Sequence, residues 1–307
     1  MPRPLRFLPD NAIVEVTTRT THGRFLLKPS PELTDIIHGI IGKAQGLYGM
    51  AIHAYVVMST HAHFLLSPTN AHQLALFMQF VNANIAKEAG RLHHWRDRLW
   101  SRRYRSIVVA DDSAAQGRLR YIMAHGAKEG LLSSPAKWPG PNCIAALTTG
   151  ALIRGTWFDR TKEFLARQRG ERPRPRQFAT IFDVHLTPLR CFRRLTRAQR
   201  QTEMRDIVDD IKNKAATENK EKGRQPMRVK AILDQDPHDT PASTQRSPAP
   251  IVHATLAATS QAFRIAYRAF VDGFRLGTQQ LHGRAREIRD MFPIGAFPPQ
   301  LPLNVSP

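Results

Sequence analysis

The sequence predicts an α+β protein in which strands alternate with helices over the first 145 residues. Short runs rich in β-branched and aromatic residues are typical of strands, and they occur at 11–20, 51–58, 61–68 and 104–110. Segments with apolar residues at every third or fourth position lie between these runs, which indicates amphipathic helices. Ser59 and Thr60 supply turn residues between the second and third runs, so those two strands are expected to form a hairpin.

Each predicted helix begins at a residue whose side chain can cap its first turn. Ser30 precedes the first apolar stripe, and Asn70 precedes the second. Asp111 or Asp112 precedes a third helix, which is expected to reach about residue 130. The first six elements therefore match the ferredoxin-like βαββαβ plan, an antiparallel sheet with helices on one face, and they form a predicted core domain over residues 1–145.

The rest of the chain is expected to form a mostly helical, basic C-terminal extension. Residues 146–215 carry basic segments of helical pattern, one of them near 156–168. Residues 216–250 mix charged residues, proline and serine with few apolar ones, which predicts a disordered linker. Residues 251–307 contain a final amphipathic helix and a proline-rich tail.

The charge balance favours a polyanionic partner. The 307 residues include 45 Lys and Arg against 25 Asp and Glu, a formal net charge of +20. Like charges repel one another in a folded protein, so this excess points to nucleic acid as the binding partner. No apolar run is long enough to span a membrane, and neither Cys143 nor Cys191 lies in a zinc-binding spacing. We therefore expect a cytoplasmic protein with free thiols and no membrane partner.

Two histidines of the third strand are the first candidate metal ligands. His61 and His63 are two positions apart, so in a strand they share one face while Phe64 lies on the other. Two imidazoles placed in this way are well suited to bind one metal ion. The alternative is that they are surface or hydrogen-bonded histidines without a ligand.

The last helix of the core carries a possible nucleophile beside a possible third ligand. Tyr121 and His125 are four positions apart and therefore lie on one helical face. An imidazole there can complete a metal site, and the phenol is then held beside the ion as a nucleophile. The alternative is that Tyr121 packs against the core and His125 is a solvated surface residue.

Residues 91–105 combine six arginines with three aromatic residues, Trp95, Trp100 and Tyr104. Arginines bind phosphates, and aromatic rings stack on unpaired bases, so this stretch is a candidate for binding single-stranded nucleic acid. The alternative is that the aromatic rings pack in the core and the arginines form a solvated surface. The candidate DNA-binding residues are Arg19, Arg102, Arg103, Arg105 and Lys128.

Three segments together resemble one protein family. "AYVVMSTHAHFLLSP", "RLWSRRYRSIVVADD" and "RYIMAHGAKEGLL" are similar in order and spacing to the HUH single-tyrosine transposases, especially the REP-associated tyrosine transposases. The resemblance covers about residues 5–140. It implies a transposase catalytic domain over 1–145, with His61, His63 and His125 as metal ligands and Tyr121 as the nucleophile. It also implies Mg²⁺ or Mn²⁺ as the cofactor, although three imidazoles favour softer ions over Mg²⁺.

The resemblance further implies metal-dependent cleavage and strand transfer of single-stranded DNA through a covalent 5′-phosphotyrosine intermediate. The implied partner is single-stranded or hairpin DNA, and the protein is expected to be a monomer or a homodimer. Two alternatives stay open. One is a domesticated descendant that binds structured nucleic acid without cutting it. The other is a metal hydrolase that acts on small molecules through a histidine-bound ion.

Overall fold

The computed structural model describes residues 5–174, 176–242, 250–281 and 291–299. The strands are β1 (Ile13–Arg19), β2 (Ala51–Val57), β3 (His61–Ser67), β4 (Arg105–Val109), β5 (Ile153–Phe158), β6 (Ala179–Val184) and β7 (Val252–His253). The helices are α1 (Pro31–Tyr48), α2 (Ala71–Leu92), α3 (Asp112–Met123), α4 (Ile144–Thr149), α5 (Arg160–Gln168), α6 (Arg197–Glu221), α7 (Val229–Leu233) and α8 (Ala257–Leu281).

The first four strands and first two helices confirm the predicted βαββαβ core. The main sheet has the order β2-β3-β1-β4-β7, and the first four strands in this order pair with one another in antiparallel fashion. The predicted caps are also confirmed: Ser30, Asn70 and Asp111 each accept a hydrogen bond from a backbone N–H in the first turn of their helix. β7 adds a fifth strand, which runs parallel to β4.

Different helices pack on the two faces of the sheet. Tyr55 and Phe64 stack on one face, and His38 of α1 meets the edge of the Tyr55 ring, so α1 lies on this side with α2 packed against it. Alternation along β3 places His63 on the opposite face, where it contacts Tyr121 of α3. The helices therefore lie on both faces, because α3 folds back over the histidine side.

Helix α3 ends at Met123, earlier than the expected position near residue 130. Gly126 and Gly130 both have positive φ angles, of 88° and 71°, which continue the chain as turns rather than as helix. The Gly126 carbonyl accepts hydrogen bonds of 2.9 Å from the backbone N–H groups of Leu131 and Leu132. These turns hold residues 124–132 against the end of the helix.

The C-terminal extension contains an unexpected hairpin. The stretch near 156–168, predicted to be helical, is divided between strand β5 and helix α5, and β5 pairs with β6 in a separate two-stranded sheet. This hairpin packs on α1 at two glycines, where a Cβ atom added to Gly39 would lie 2.2 Å from the Thr156 carbonyl carbon. Gly155 faces Gly39 across the same contact. The absence of side chains lets helix and strand backbones touch.

Within 216–250, the stretch predicted to be a linker, residues 216–221 continue α6 and a short helix α7 follows. Residues 243–249 lie outside the described residues, as does the end of the proline-rich tail beyond residue 299. Among the helices that the structure describes, none has the length and hydropathy needed to cross a membrane.

Candidate active site

Three histidine side chains converge on the face of the sheet that α3 covers. His61 and His63 lie in strand β3, and their ring centres are 5.1 Å apart. His125 follows the end of α3, and its ring centre lies 4.4 Å from that of His63 and 5.5 Å from that of His61. One nitrogen from each ring can be chosen so that all three lie within 4.8 Å of one another. This spacing suits three ligands of a single metal ion.

Each imidazole is held at its Nδ1 atom by a hydrogen bond. The His61 Nδ1 lies 2.8 Å from the Thr60 hydroxyl oxygen, and the His63 Nδ1 lies 3.0 Å from the Glu15 carboxylate. The His125 Nδ1 donates to the Tyr121 carbonyl at 2.9 Å. Because Nδ1 is engaged in each ring, Nε2 is the nitrogen available for a metal ion.

The surroundings of the three imidazoles favour their neutral form. Burial lowers the pKa of His61 and of His125 well below the ordinary value, and the neighbouring His63 lowers both further. Burial also lowers the pKa of His63, although hydrogen bonding to Glu15 acts in the opposite direction. Neutral imidazole is the form that binds metal, so the cluster is ready to act as a ligand set at neutral pH.

Glu15 is the carboxylate behind this cluster. It is only 4% exposed, and its Oε1 atom accepts the hydrogen bond from His63. Its Oε2 atom lies 3.0 Å from His253 Nε2 and 3.4 Å from Arg118 Nη1. Burial alone raises the pKa of the Glu15 carboxyl, but the hydrogen bonds from His253 and His63 outweigh burial and hold the pKa well below its usual range.

Tyr121 stands beside the histidine cluster and is partly exposed. Its ring centre is 4.9 Å from that of His125 and 5.7 Å from that of His63. Two cations lie against the ring: the Arg118 guanidinium carbon is 4.0 Å and the Lys128 Nζ atom is 3.7 Å from its centre. The candidate nucleophile is therefore adjacent both to the candidate metal ligands and to positive charge.

The four remaining candidate DNA-binding residues are exposed and surround one end of β1. We call this group the basic rim; it consists of Arg19, Arg102, Arg103 and Arg105. Arg19 is directly opposite His61 in the β1–β3 pair. Arg105 is opposite Thr17, which is itself opposite His63, so these residues share the histidine face. A hydrogen bond from Ser101 N to the Arg19 carbonyl holds the intervening loop beside β1.

The aromatic residues of 91–105 are packed against protein. Tyr104 is 9% exposed, and the Arg6 guanidinium lies 3.7 Å from its ring centre. The Trp100 Nε1 atom donates to the Asn82 carbonyl at 2.8 Å, and the Trp95 ring contacts His238. In the described structure these rings thus follow the packing alternative, while the neighbouring arginines stay at the surface.

Sequence reasoning missed Glu15, Thr60 as the partner of His61, and His253. Glu15 did carry a signal, because it is the one acidic residue of β1, lies between two valines and shares its face with Thr17 and Arg19. No sequence signal marked His253, because it lies in the predicted C-terminal extension, far from the core strands in sequence. Its role depends on the pairing of β7 with β4.

Comparison with known families identifies the segment that contains this site. Residues 12–125 match the family model described as "Transposase IS200 like". The match begins just before β1 and ends at His125, so it contains the three histidines and Tyr121. No curated protein matches the chain.

Solved structures show only distant similarity. A REP-associated tyrosine transposase bound to a REP hairpin is 15% identical, with a TM-score of 0.41; the alignment covers 48% of this chain and 85% of the other. A transposase from Deinococcus radiodurans, described as putative in its name, is 20% identical, with a TM-score of 0.28. That alignment covers 40% of this chain and 95% of the other. The tRNA(His) guanylyltransferase of Saccharomyces cerevisiae is 13% identical, with a TM-score of 0.35. That alignment covers 63% of this chain and 96% of the other. These scores are too low to carry an argument, so the similarity to the transposase family rests on the match of residues 12–125 to the family model.

Proposed function

We propose that this protein cuts and rejoins single-stranded DNA, because residues 12–125 match the IS200-like transposase family model, in line with the resemblance to single-tyrosine transposases. Tyr121 is the proposed nucleophile, and His61, His63 and His125 are the proposed ligands of a divalent ion. The observation that carries this proposal is the convergence of three imidazoles beside one partly exposed phenol. The shared position of all four residues within the matched family segment supports it.

The three imidazoles fit a divalent ion by their chemistry as well as their spacing. Each Nδ1 is engaged by a neighbour, and each ring is kept neutral by burial. Three nitrogen ligands favour Mn²⁺ or a similar transition-metal ion over Mg²⁺. An ion bound there supplies Lewis-acid polarisation of the scissile phosphate.

The chain's own residues supply the nucleophile and the surrounding charge. The Tyr121 oxygen attacks the phosphorus atom, the P–O3′ bond breaks, and the proton of the phenol ends on the released 3′-hydroxyl. Lys128 and Arg118, on the ring of Tyr121, offset negative charge on the phenol oxygen and the phosphate. The 5′-phosphotyrosine bond keeps the energy of the phosphodiester, so a 3′-hydroxyl can reverse the step and join a new strand.

The basic rim gives the DNA strand a path to the nucleophile. Arg19 and Arg105 lie on the same face of the sheet as His61 and His63, and Arg102 and Arg103 are exposed in the loop between them. Phosphate contacts from such a rim fix the position of a strand without reading its bases. We propose single-stranded DNA, presented beside a hairpin, as the substrate, in line with the resemblance to REP-associated transposases.

The test is formation of a covalent protein–DNA adduct. The full-length protein is incubated with Mn²⁺ and a random-sequence single-stranded DNA pool labelled at its 3′ end, which would stay attached to the protein after cleavage. We expect a labelled band that survives denaturation in detergent and disappears with Tyr121→Phe or with a chelator. Tyr48→Phe serves as the control, because Tyr48 belongs to α1, which lies on the other face of the sheet from the cluster.

The same experiment separates the alternatives. Salt-dependent DNA binding without an adduct would contradict cleavage and support a binding protein that does not cut. An adduct that persists in Tyr121→Phe would assign the nucleophile to another residue. Metal binding without DNA binding would favour a hydrolase of small molecules.

A further inference from the structure

The C-terminal extension reaches the active site through one histidine. His253 lies far outside the matched segment 12–125, yet its Nε2 atom is 3.0 Å from the Glu15 carboxylate. It is opposite Val109 in the parallel pair of β7 with β4. Residues directly opposite one another share a face of a sheet, so His253 is on the histidine face. Its side chain is 17% exposed, which leaves it largely enclosed by the site.

The segment that carries His253 is fixed to the core at several points. The Ala110 backbone N–H donates to the His253 carbonyl at 2.9 Å, next to the β4–β7 pairing. Asp111 accepts from the Ala114 N–H at the start of α3 with one oxygen and from the Thr255 N–H, at 2.7 Å, with the other. One carboxylate therefore caps the helix that bears Tyr121 and anchors the segment that bears His253.

Glu15 joins this segment to the metal ligand. Its Oε1 atom receives the His63 Nδ1 hydrogen bond, and its Oε2 atom receives His253 together with Arg118. Arg118 in turn lies against the Tyr121 ring. A buried carboxylate is stable only while its oxygens are hydrogen-bonded or paired with charge. Without the His253 donor, Arg118 at 3.4 Å is the remaining partner of Oε2 among these groups, so the carboxylate is held less firmly against His63.

We propose that residues 252–256 complete the active site, with His253 acting as a positioning residue that holds Glu15 against His63. This inference rests on the proposed function, because His63 must be a metal ligand for its orientation to matter. A carboxylate that accepts a hydrogen bond from a metal-bound histidine fixes the ring and raises its basicity as a ligand. Loss of such a partner lowers metal affinity by about 10- to 100-fold in other proteins.

The test measures Mn²⁺ affinity of the full-length protein by titration calorimetry, without DNA. His253→Leu removes the donor at similar volume and is expected to weaken Mn²⁺ binding about tenfold. His253→Gln restores an N–H donor and should bring affinity back most of the way towards wild type. His72→Leu is the control, because His72 is an exposed histidine of α2. Unchanged affinity in His253→Leu, or equal losses in the Leu and Gln variants, would overturn the proposal.

Two further measurements keep the test decisive. If the wild-type protein binds no Mn²⁺, the proposed metal site is wrong. If the wild-type protein binds Mn²⁺ and His253→Leu binds it equally well, only the proposed role of His253 is wrong. If His253→Leu does not fold, Asp111→Ser replaces it, since serine still caps α3 but is too short to hold the Thr255 N–H as well. A folded Asp111→Ser protein should also bind Mn²⁺ more weakly, and unchanged affinity would contradict the proposal.

Discussion

The Nζ atom of Lys128 lies 3.7 Å from the centre of the Tyr121 ring, on a turn that begins where α3 ends. Lys128 also pairs with Glu129 at 3.1 Å, and Glu129 accepts a hydrogen bond from the Gly126 N–H. The early end of the helix therefore places an ammonium group over the proposed nucleophile. An uninterrupted helix would have placed Lys128 on the helix surface, two turns beyond Tyr121.

Replacing Lys128 should slow formation of the covalent adduct. Lys128→Met removes the charge over the Tyr121 ring and is expected to reduce the rate about tenfold, which corresponds to about 1.4 kcal/mol. Lys128→Arg should keep most of the rate. Lys162→Met, on the exposed surface of α5, is the matched control. A Lys128→Met rate equal to that of the control would exclude a role for this contact.

Substitutions in the basic rim should weaken DNA binding without affecting metal affinity. Arg102→Ala and Arg103→Ala each remove one expected phosphate contact. Each should reduce the slope of log affinity against log salt by about 0.7 for single-stranded DNA. Fluorescence anisotropy at several salt concentrations measures the slope. Arg169→Ala, at an exposed arginine directly after α5, is the control, and an unchanged slope in the rim variants would remove these arginines from the interface.

The contact between α1 and the β5–β6 hairpin predicts a sharp difference between two glycines of one helix. A Cβ atom at Gly39 would meet the backbone of Thr156 at 2.2 Å, whereas one at Gly46 would meet nothing within 4 Å. Gly39→Ala should lower the free energy of unfolding by about 3 kcal/mol through this clash. Gly46→Ala should raise it by about 0.5 kcal/mol through helix propensity. Urea unfolding measures both, and similar values for the two variants would contradict the close packing.

His38 should make the protein less stable in mild acid. Burial lowers the pKa of His38 to about 4, and its Nε2 atom is buried without a partner among the described residues. As the pH falls below about 6.5, the unfolded chain binds a proton that the folded protein excludes until about pH 4, so the free energy of unfolding decreases in that range.

The loss assigned to His38 is about 2 kcal/mol between pH 7 and pH 5. His38→Gln should therefore reduce the change in the free energy of unfolding between these two pH values by about that amount. Urea unfolding at both pH values provides the comparison. An identical pH dependence in wild type and variant would show that His38 is not the proton-linked group.

Local sequence patterns were sufficient for the histidine pair and for the core of the fold. The period of two along a strand predicts that His61 and His63 share a face, and a spacing of four predicts that His125 lies near Tyr121. Both pairs are close in the structure, although His125 lies beyond the helix rather than within it. His125 lies outside the helix because the next residue, Gly126, has a positive φ angle, which is incompatible with a continued helix.

Long-range contacts explain what the sequence patterns left undetected. The hydrogen bonds that Glu15 accepts from His63 and His253 join residues on three strands, and no local period relates them. β7 has two residues, too few to show a period, and β5 contains an arginine and a glycine that interrupt its apolar pattern. Each strand is held by long-range partners: β7 pairs with β4, and β5 pairs with β6 and packs on α1.

The most direct test of the central claim is mass spectrometry of the covalent adduct after digestion with nuclease and trypsin. Cleavage after Arg120 and Lys128 releases residues 121–128, which contain Tyr121 as their one tyrosine. We predict that this peptide carries a single phosphodeoxynucleotide on Tyr121, formed only when Mn²⁺ is present. Attachment to any other residue, or modification that proceeds equally well when His61 and His63 are both replaced by alanine, would contradict the account.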